Sequence, residues 1–229
     1  MTQLRIFITS LLIIVSPFSF AQSQYDAELF ALQKSWAIAT YSTPKLKQDK
    51  RFAQLNLRAA ELAASDPSRA EAYIWQAIIN MTHSNEVGEF FTVRYVNDAR
   101  DLLKKAEKIN SSVMNGLVYT SLGQLYYEIP GWPLSFGDDE KAKQYLDTAL
   151  KANPNGIDSN YYYAGYLMKL TRYQEAIRYF EKSLKAADRP EHPLADKGRR
   201  ADARANIVEA KKIISGKDEI DIDLPIDEP

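Results

Sequence analysis

Residues 142–186 read AKQYLDTALKANPNGIDSNYYYAGYLMKLTRYQEAIRYFEKSLKA, and the stretch repeats itself after 34 positions. The shift lays Ala142 on Ala176, Tyr145 on Tyr179, Leu146 on Phe180 and Leu150 on Leu184, and Lys151-Ala152 falls on Lys185-Ala186. Within each copy the apolar positions recur at steps of three and four, the spacing of one helix face. A period of 34 is one helix–turn–helix unit, whose two helices bury faces against each other and against the next pair. The helical step continues upstream in Ala99, Leu102, Leu103, Ala106 and Ile109. An ordinary helical bundle carries similar stripes, but not the repeat with its loop Pro154.

Punctuation agrees with helices. Asp66-Pro67 and Asn153-Pro154-Asn155-Gly156 are stop signals. Ser68-x-x-Glu71 and Thr171-x-x-Gln174 fit the capping box, and Asp138-Asp139 places negative charge where a helix start favours it. These signals predict about nine helices and no hairpin or βαβ unit.

These residues resemble the tetratricopeptide repeat (TPR), in which a small residue of the second helix is followed four later by a large apolar one, with Pro closing the unit. Ala142, Leu146, Ala149 and Pro154 fit that pattern, as do Ala176 and Phe180. In the matching first helices, Gly123 and Ala164 are small enough for close approach. The resemblance implies an all-α, TPR-like helical-hairpin solenoid of about four helix pairs plus a C-terminal capping helix. Tyr73 and Ala77 would open an earlier unit closed by Ala99, Leu103 and Ala106, stretched by an insertion of about ten residues against the TPR period. A shorter insertion follows Gly123.

That second insertion, Tyr126-Tyr127-Glu128-Ile129-Pro130-Gly131-Trp132-Pro133 leading into Gly137-Asp138-Asp139-Glu140, resembles an exported TPR-like family that includes the T component of TRAP dicarboxylate transporters. The resemblance implies a periplasmic protein beside a solute-binding protein. Trp132 and Phe136 either plug the groove or reach out as an interface.

The 229-residue chain has 45% apolar and 26% charged residues, a net charge of −1, no Cys and two His. Thiolate chemistry is excluded, and near-neutral charge argues against nucleic acid as a partner. Arg5, the apolar run from Ile6 to Val15, Pro17 and Ser19-Phe20-Ala21 form a secretory leader over residues 1–21. The alternative is a membrane anchor, but ten helical residues reach only about 15 Å, half a bilayer core. Without a Cys after the run there is no lipid anchor. The expected product is a soluble periplasmic or secreted chain with a helical domain over 25–215. Residues 218–229 form an acidic tail, expected to be disordered or to fold back through Ile220, Ile222 and Leu224.

No P-loop, dinucleotide, zincin or nucleophile-elbow pattern occurs. His83 with Glu86 and Glu89 reads as a polar connector, and His192 between Pro190 and Pro193 as a surface turn. The expectation is a non-enzyme with no cofactor and no metal. The basic run Lys197, Arg199, Arg200, Arg204, Lys211 and Lys212 reads as a solvated helix face.

Binding is the expected activity. The TPR resemblance implies a concave surface made by first helices, and its groove positions fall on Ile74 and Ile78, on Thr120, Gln124 and Tyr127, and on Asp158, Tyr161, Met168 and Lys169. Read this way, the lining is aromatic with few charges and suits a protein or peptide partner. A solute-binding protein, or a small molecule held for a transporter, is the alternative. Of Tyr161, Tyr162, Tyr163 and Tyr166, at least one is expected to face solvent.

Overall fold

The computed structural model describes residues 17–86 and 89–222, with side chains described for 22–86 and 92–216. Among them nine helices run in order: α1 (Pro17–Tyr41), α2 (Lys45–Ser65), α3 (Ala70–Ser84), α4 (Glu89–Asn110), α5 (Val113–Glu128), α6 (Asp139–Ala152), α7 (Ile157–Lys169), α8 (Tyr173–Lys185) and α9 (Pro193–Ile222). They pair as α1/α2, α3/α4, α5/α6 and α7/α8, and first helices also touch first helices, α1 on α3, α3 on α5 and α5 on α7. None of these helices is long and apolar enough to cross a membrane. The expected leader lies largely outside the described residues.

The 34-residue register is a packing register. Ala142, Leu146 and Ala149 are fully buried, and so are Ala176, Phe180 and Ser183 in the next unit. Ser183 stands where the earlier repeat has Ala149, and its hydroxyl donates to the Ile157 carbonyl at 2.9 Å, so the added polar atom is satisfied. Gly123 is small for the reason the spacing suggests: a Cβ there would stand 2.5 Å from Leu146 Cγ.

Several expectations need correcting. The insertion of about ten residues expected between Ala77 and Ala99 falls in the α3/α4 pair. Its extra residues lengthen the helices, to 15 residues in α3 and 22 in α4 against 13 each in α7 and α8. Neither capping box forms. Ser68 donates instead to Asp66 at 2.6 Å, and Glu71 pairs with Arg69 at 2.9 Å. Thr171 is held at φ 58° as the left-handed residue that ends α7. There its own N–H donates to the Met168 carbonyl and that of Arg172 to the Leu167 carbonyl, a Schellman stop. Asp138, by contrast, caps α6 as expected, accepting from the amides of Glu140 and Lys141.

His83 is no connector. It is buried within α3, with Nε2 2.8 Å from Asp49 and Nδ1 3.3 Å from Asn56. The last helix was expected to end near Ser215, but α9 continues to Ile222 and so takes in the first acidic residues of the tail. Residues 223–229 lie outside the described residues.

The insertion after α5 is a compact loop. Tyr126 accepts from the Asp138 N–H and Pro130 from the Gly137 N–H, both at 2.9 Å. Phe136 packs edge-on against Tyr126, with the Arg100 guanidinium 4.6 Å above its ring. Trp132 and Leu134, 90% and 83% exposed, point away from the body.

Candidate functional site

Each first helix turns one stripe toward a common concave side. The stripes are Gln33 and Trp36 on α1, Trp75 and Ile78 on α3, Leu117, Thr120, Ser121 and Gln124 on α5, and Asp158 and Tyr162 on α7. All are spaced by three or four, so each set shares a face. Together with α9 they enclose a chamber of about 410 Å³.

The position of α9 was not foreseen. It packs on α8 as a cap should, but it also reaches α7 and crosses to α1, closing the array end to end. Tyr41 donates to Asp202 at 3.4 Å, Phe30 meets the His192 ring at 5.8 Å, and Gly198 lies under the Tyr41 ring. Ala203 and Ala210 continue the same inward face. Two members of the basic run are therefore not solvated. Arg200 donates to the Ala186 carbonyl and pairs with Asp188. Arg199, with an 11% exposed side chain, is the centre of a buried network.

Arg199 pairs with Asp158 at 3.0 Å, donates to the Tyr162 hydroxyl at 2.7 Å and lies over the rings of Tyr161 and Tyr162. Arg189 bridges Asp158 at 2.8 Å and Asp196 at 2.5 Å. Burial pushes the Asp158 carboxyl up, but Arg199 and Arg189 outweigh it and hold the group below its usual range. Burial and then Arg189 lower His192, which is neutral at pH 7. The lining therefore holds more charge than expected, all of it paired.

Arg199, Tyr162 and Gln124 divide the concave side. Beyond them lies a second, more open cleft of about 500 Å³ bordered by Tyr127, Tyr161, Met168 and Asn206. At its mouth Glu128 keeps solvent contact and accepts from Gln124 at 3.1 Å. The enclosing protein nevertheless pushes its carboxyl up to about 7.

The structure brings together seven of the eleven positions read from the sequence. Ile78, Thr120, Gln124 and Asp158 border the chamber, and Gln124, Tyr127, Tyr161 and Met168 the cleft. Four lie elsewhere. Ile74 is fully buried between helices, and Lys169 pairs with Asp139 on α6 at 2.6 Å. Trp132 and Phe136 border neither space, so their loop does not plug the groove. None of the four clustered tyrosines is exposed: Tyr166 is buried against Tyr127 and the other three are half-buried. Sequence reasoning missed Gln33, Trp36, Trp75 and Arg199. A stripe of Gln33 and Trp36 with Trp75 and Ile78 at the same spacing was the available signal. Among the described residues no group of three His, Cys, Asp or Glu is placed to hold a metal.

No family model and no curated protein matches the sequence. Solved structures do. A thermophilic TPR protein of Thermus thermophilus is 19% identical, with a TM-score of 0.51 covering 81% of this chain and 93% of that one. MamA (18% identical, TM-score 0.42, 76% and 95% covered) and PilF of Pseudomonas aeruginosa (16%, 0.33, 86% and 95%) are also similar. With its four antiparallel pairs and terminal helix, the chain has the fold of a TPR-like helical-hairpin solenoid.

Proposed function

We propose that this protein is an exported, non-catalytic scaffold that holds a protein or peptide partner on its concave side. The carrying observation is the convergence of four first-helix stripes on one side that α9 crosses without filling. Tyr127, Tyr161 and Met168 border the open cleft, where aromatic and thioether groups supply contact area and Gln124 offers both a donor and an acceptor. Export rests on the leader pattern. Cleavage after Ala21 leaves intact Tyr25, the first buried side chain among the described residues of α1, whose ring lies under Arg69.

The test is partner recovery from a periplasmic extract with wild type and with a Gln124→Arg, Met168→Arg variant of unchanged helicity. Loss of the recovered protein supports the reading, and equal recovery overturns it.

One observation favours a second reading, an accessory transporter component that holds a small molecule beside a solute-binding protein. The chamber falls in the size range of small-ligand sites. At a helix diameter of about 10 Å the same volume holds only about one turn, so a partner helix does not fit inside it.

A further inference from the structure

Three chamber-lining side chains are buried and polar without a protein partner. Gln33 is 6% exposed, Thr120 4% and Ser121 3%, and none has a hydrogen-bond partner among the described residues. Trp75 borders the same space, and its indole N–H has no acceptor there either, whereas the neighbouring Trp36 donates to Thr82 at 3.0 Å. Buried polar groups are satisfied in the great majority of cases. Leaving a buried donor or acceptor unmade costs about 1–3 kcal/mol. Only the Trp75 N–H is itself shut off inside the fold; Gln33, Thr120 and Ser121 line the chamber with no protein partner to satisfy them, so polar groups from three helices are placed for something that enters it.

A second observation lies on the rim. Met114 and Asn115, both bordering the chamber, are held at φ 53° and 56°, and Gly116 follows at 73°. Left-handed backbone at consecutive non-glycine residues is strained, and such strain concentrates at binding sites.

The lining defines the ligand. Trp36 and Trp75, 5.5 Å apart and edge-to-face, form an aromatic wall continued by Ile78 and Leu117. Gln33 and the two hydroxyls supply donors and acceptors of an uncharged kind. The cations at the far end, Arg189 and Arg199, are already neutralised by Asp158 and Asp196. A charged ligand would have to break those pairs.

We propose that the chamber binds an uncharged group with a flat apolar face and an amide or hydroxyl beside it. The inference deepens the concave-side reading and rests on it. Its two sources are a free solute and an aromatic side chain, with its flanking peptide groups, on a partner.

Three probes separate the outcomes on the full exported chain: N-acetyl-tryptophan amide, the same compound with a free carboxylate, and a blocked, uncharged pentapeptide with central Trp. Calorimetry is expected to give a dissociation constant of about 1 mM or tighter for the neutral amide. The carboxylate should bind several-fold more weakly. A pentapeptide tighter than the amide points to a partner's side chain, and equal binding to a solute; both support the site. Gln33→Leu, which keeps the side-chain length, should weaken the amide about five- to tenfold through loss of one hydrogen bond. It should not lower the melting temperature of the free protein, because the Gln33 amide has no protein partner to lose. Lost affinity without lost stability is not expected of a merely structural residue. Absence of saturable binding by all three probes, or binding that Gln33→Leu and Trp75→Phe leave unchanged, overturns the proposal. If probes fail while the Gln124 variant still loses its partner, the chamber falls and the scaffold reading stands.

Discussion

Tyr41, the last residue of α1, and Gly198 on α9 pack face to face across the two ends of the array, with the glycine leaving room for the ring. A Cβ on Gly198 would run into that ring. At a free helix position Gly→Ala stabilises by up to about 1 kcal/mol. Here Gly198→Ala is expected to destabilise by about 1–3 kcal/mol through overpacking, read by urea denaturation. A gain in stability would show that α9 does not seat on α1.

Asp158 serves two guanidiniums, and its removal leaves Arg199, whose side chain is 11% exposed, with only the more distant Asp202 carboxylate at 3.7 Å. Asp158→Ala is expected to cost about 3 kcal/mol and to increase amide exchange along the first half of α9. The folded-state carboxyl titrates below its unfolded value of about 3.9, so its contribution is fully present above that pH. It is lost as pH falls through the folded value. Protection factors along the first half of α9, from which the intrinsic pH dependence of amide exchange is divided out, should therefore fall as pH drops below about 4 in the wild type, and this step should be missing in Asp158→Ala.

Glu128 has the opposite sign. Its carboxyl is raised to about 7, chiefly by burial, against opposing contributions from Gln124, Tyr127 and Arg199. The folded state then holds a proton that the unfolded state has released, and stability falls as pH rises from the usual glutamate range to about 7. Glu128→Gln should flatten that part of a melting-temperature profile. The effect is small, because the carboxylate keeps solvent contact.

The left-handed turn within the first residues of α5 yields a further test. Met114→Gly removes a side chain from a φ of 53° and is expected to stabilise the fold by about 1 kcal/mol. Gly116→Ala should destabilise, since its Cβ would stand 2.9 Å from that of Ala152 as well as sitting at φ 73°. Equal melting temperatures for the two variants would contradict the assignment.

The repeat between residues 142 and 186 carried the fold because buried positions of successive hairpins are locally periodic. Ala142, Leu146, Ala176 and Phe180 occupy matching places. The concave stripes on α5 and α7 followed from the same register, which is why Thr120, Gln124 and Tyr161 lie where expected. Ile74 and Lys169 failed on helices whose other expected positions held: Ile74 stands a turn before Ile78 and is buried between helices, and Lys169 lies about 100° round α7 from Met168, where it meets Asp139. Arg199 was hidden for a different reason. An arginine among alternating charges has no local signature of burial, and its partners stand 41 residues away on Asp158 and 37 on Tyr162. The return of α9 to α1 is a long-range contact that no periodicity encodes.

Photo-crosslinking from Gln124 tests the concave-side assignment most directly, with Leu57, exposed on the second helix α2, and Trp132 on the protruding loop as comparison sites. A benzophenone amino acid at Gln124, which borders both the chamber and the cleft, is expected to capture a discrete partner in exporting cells, while Leu57 and Trp132 do not. Adducts from Leu57 or Trp132 with none from Gln124 would contradict it.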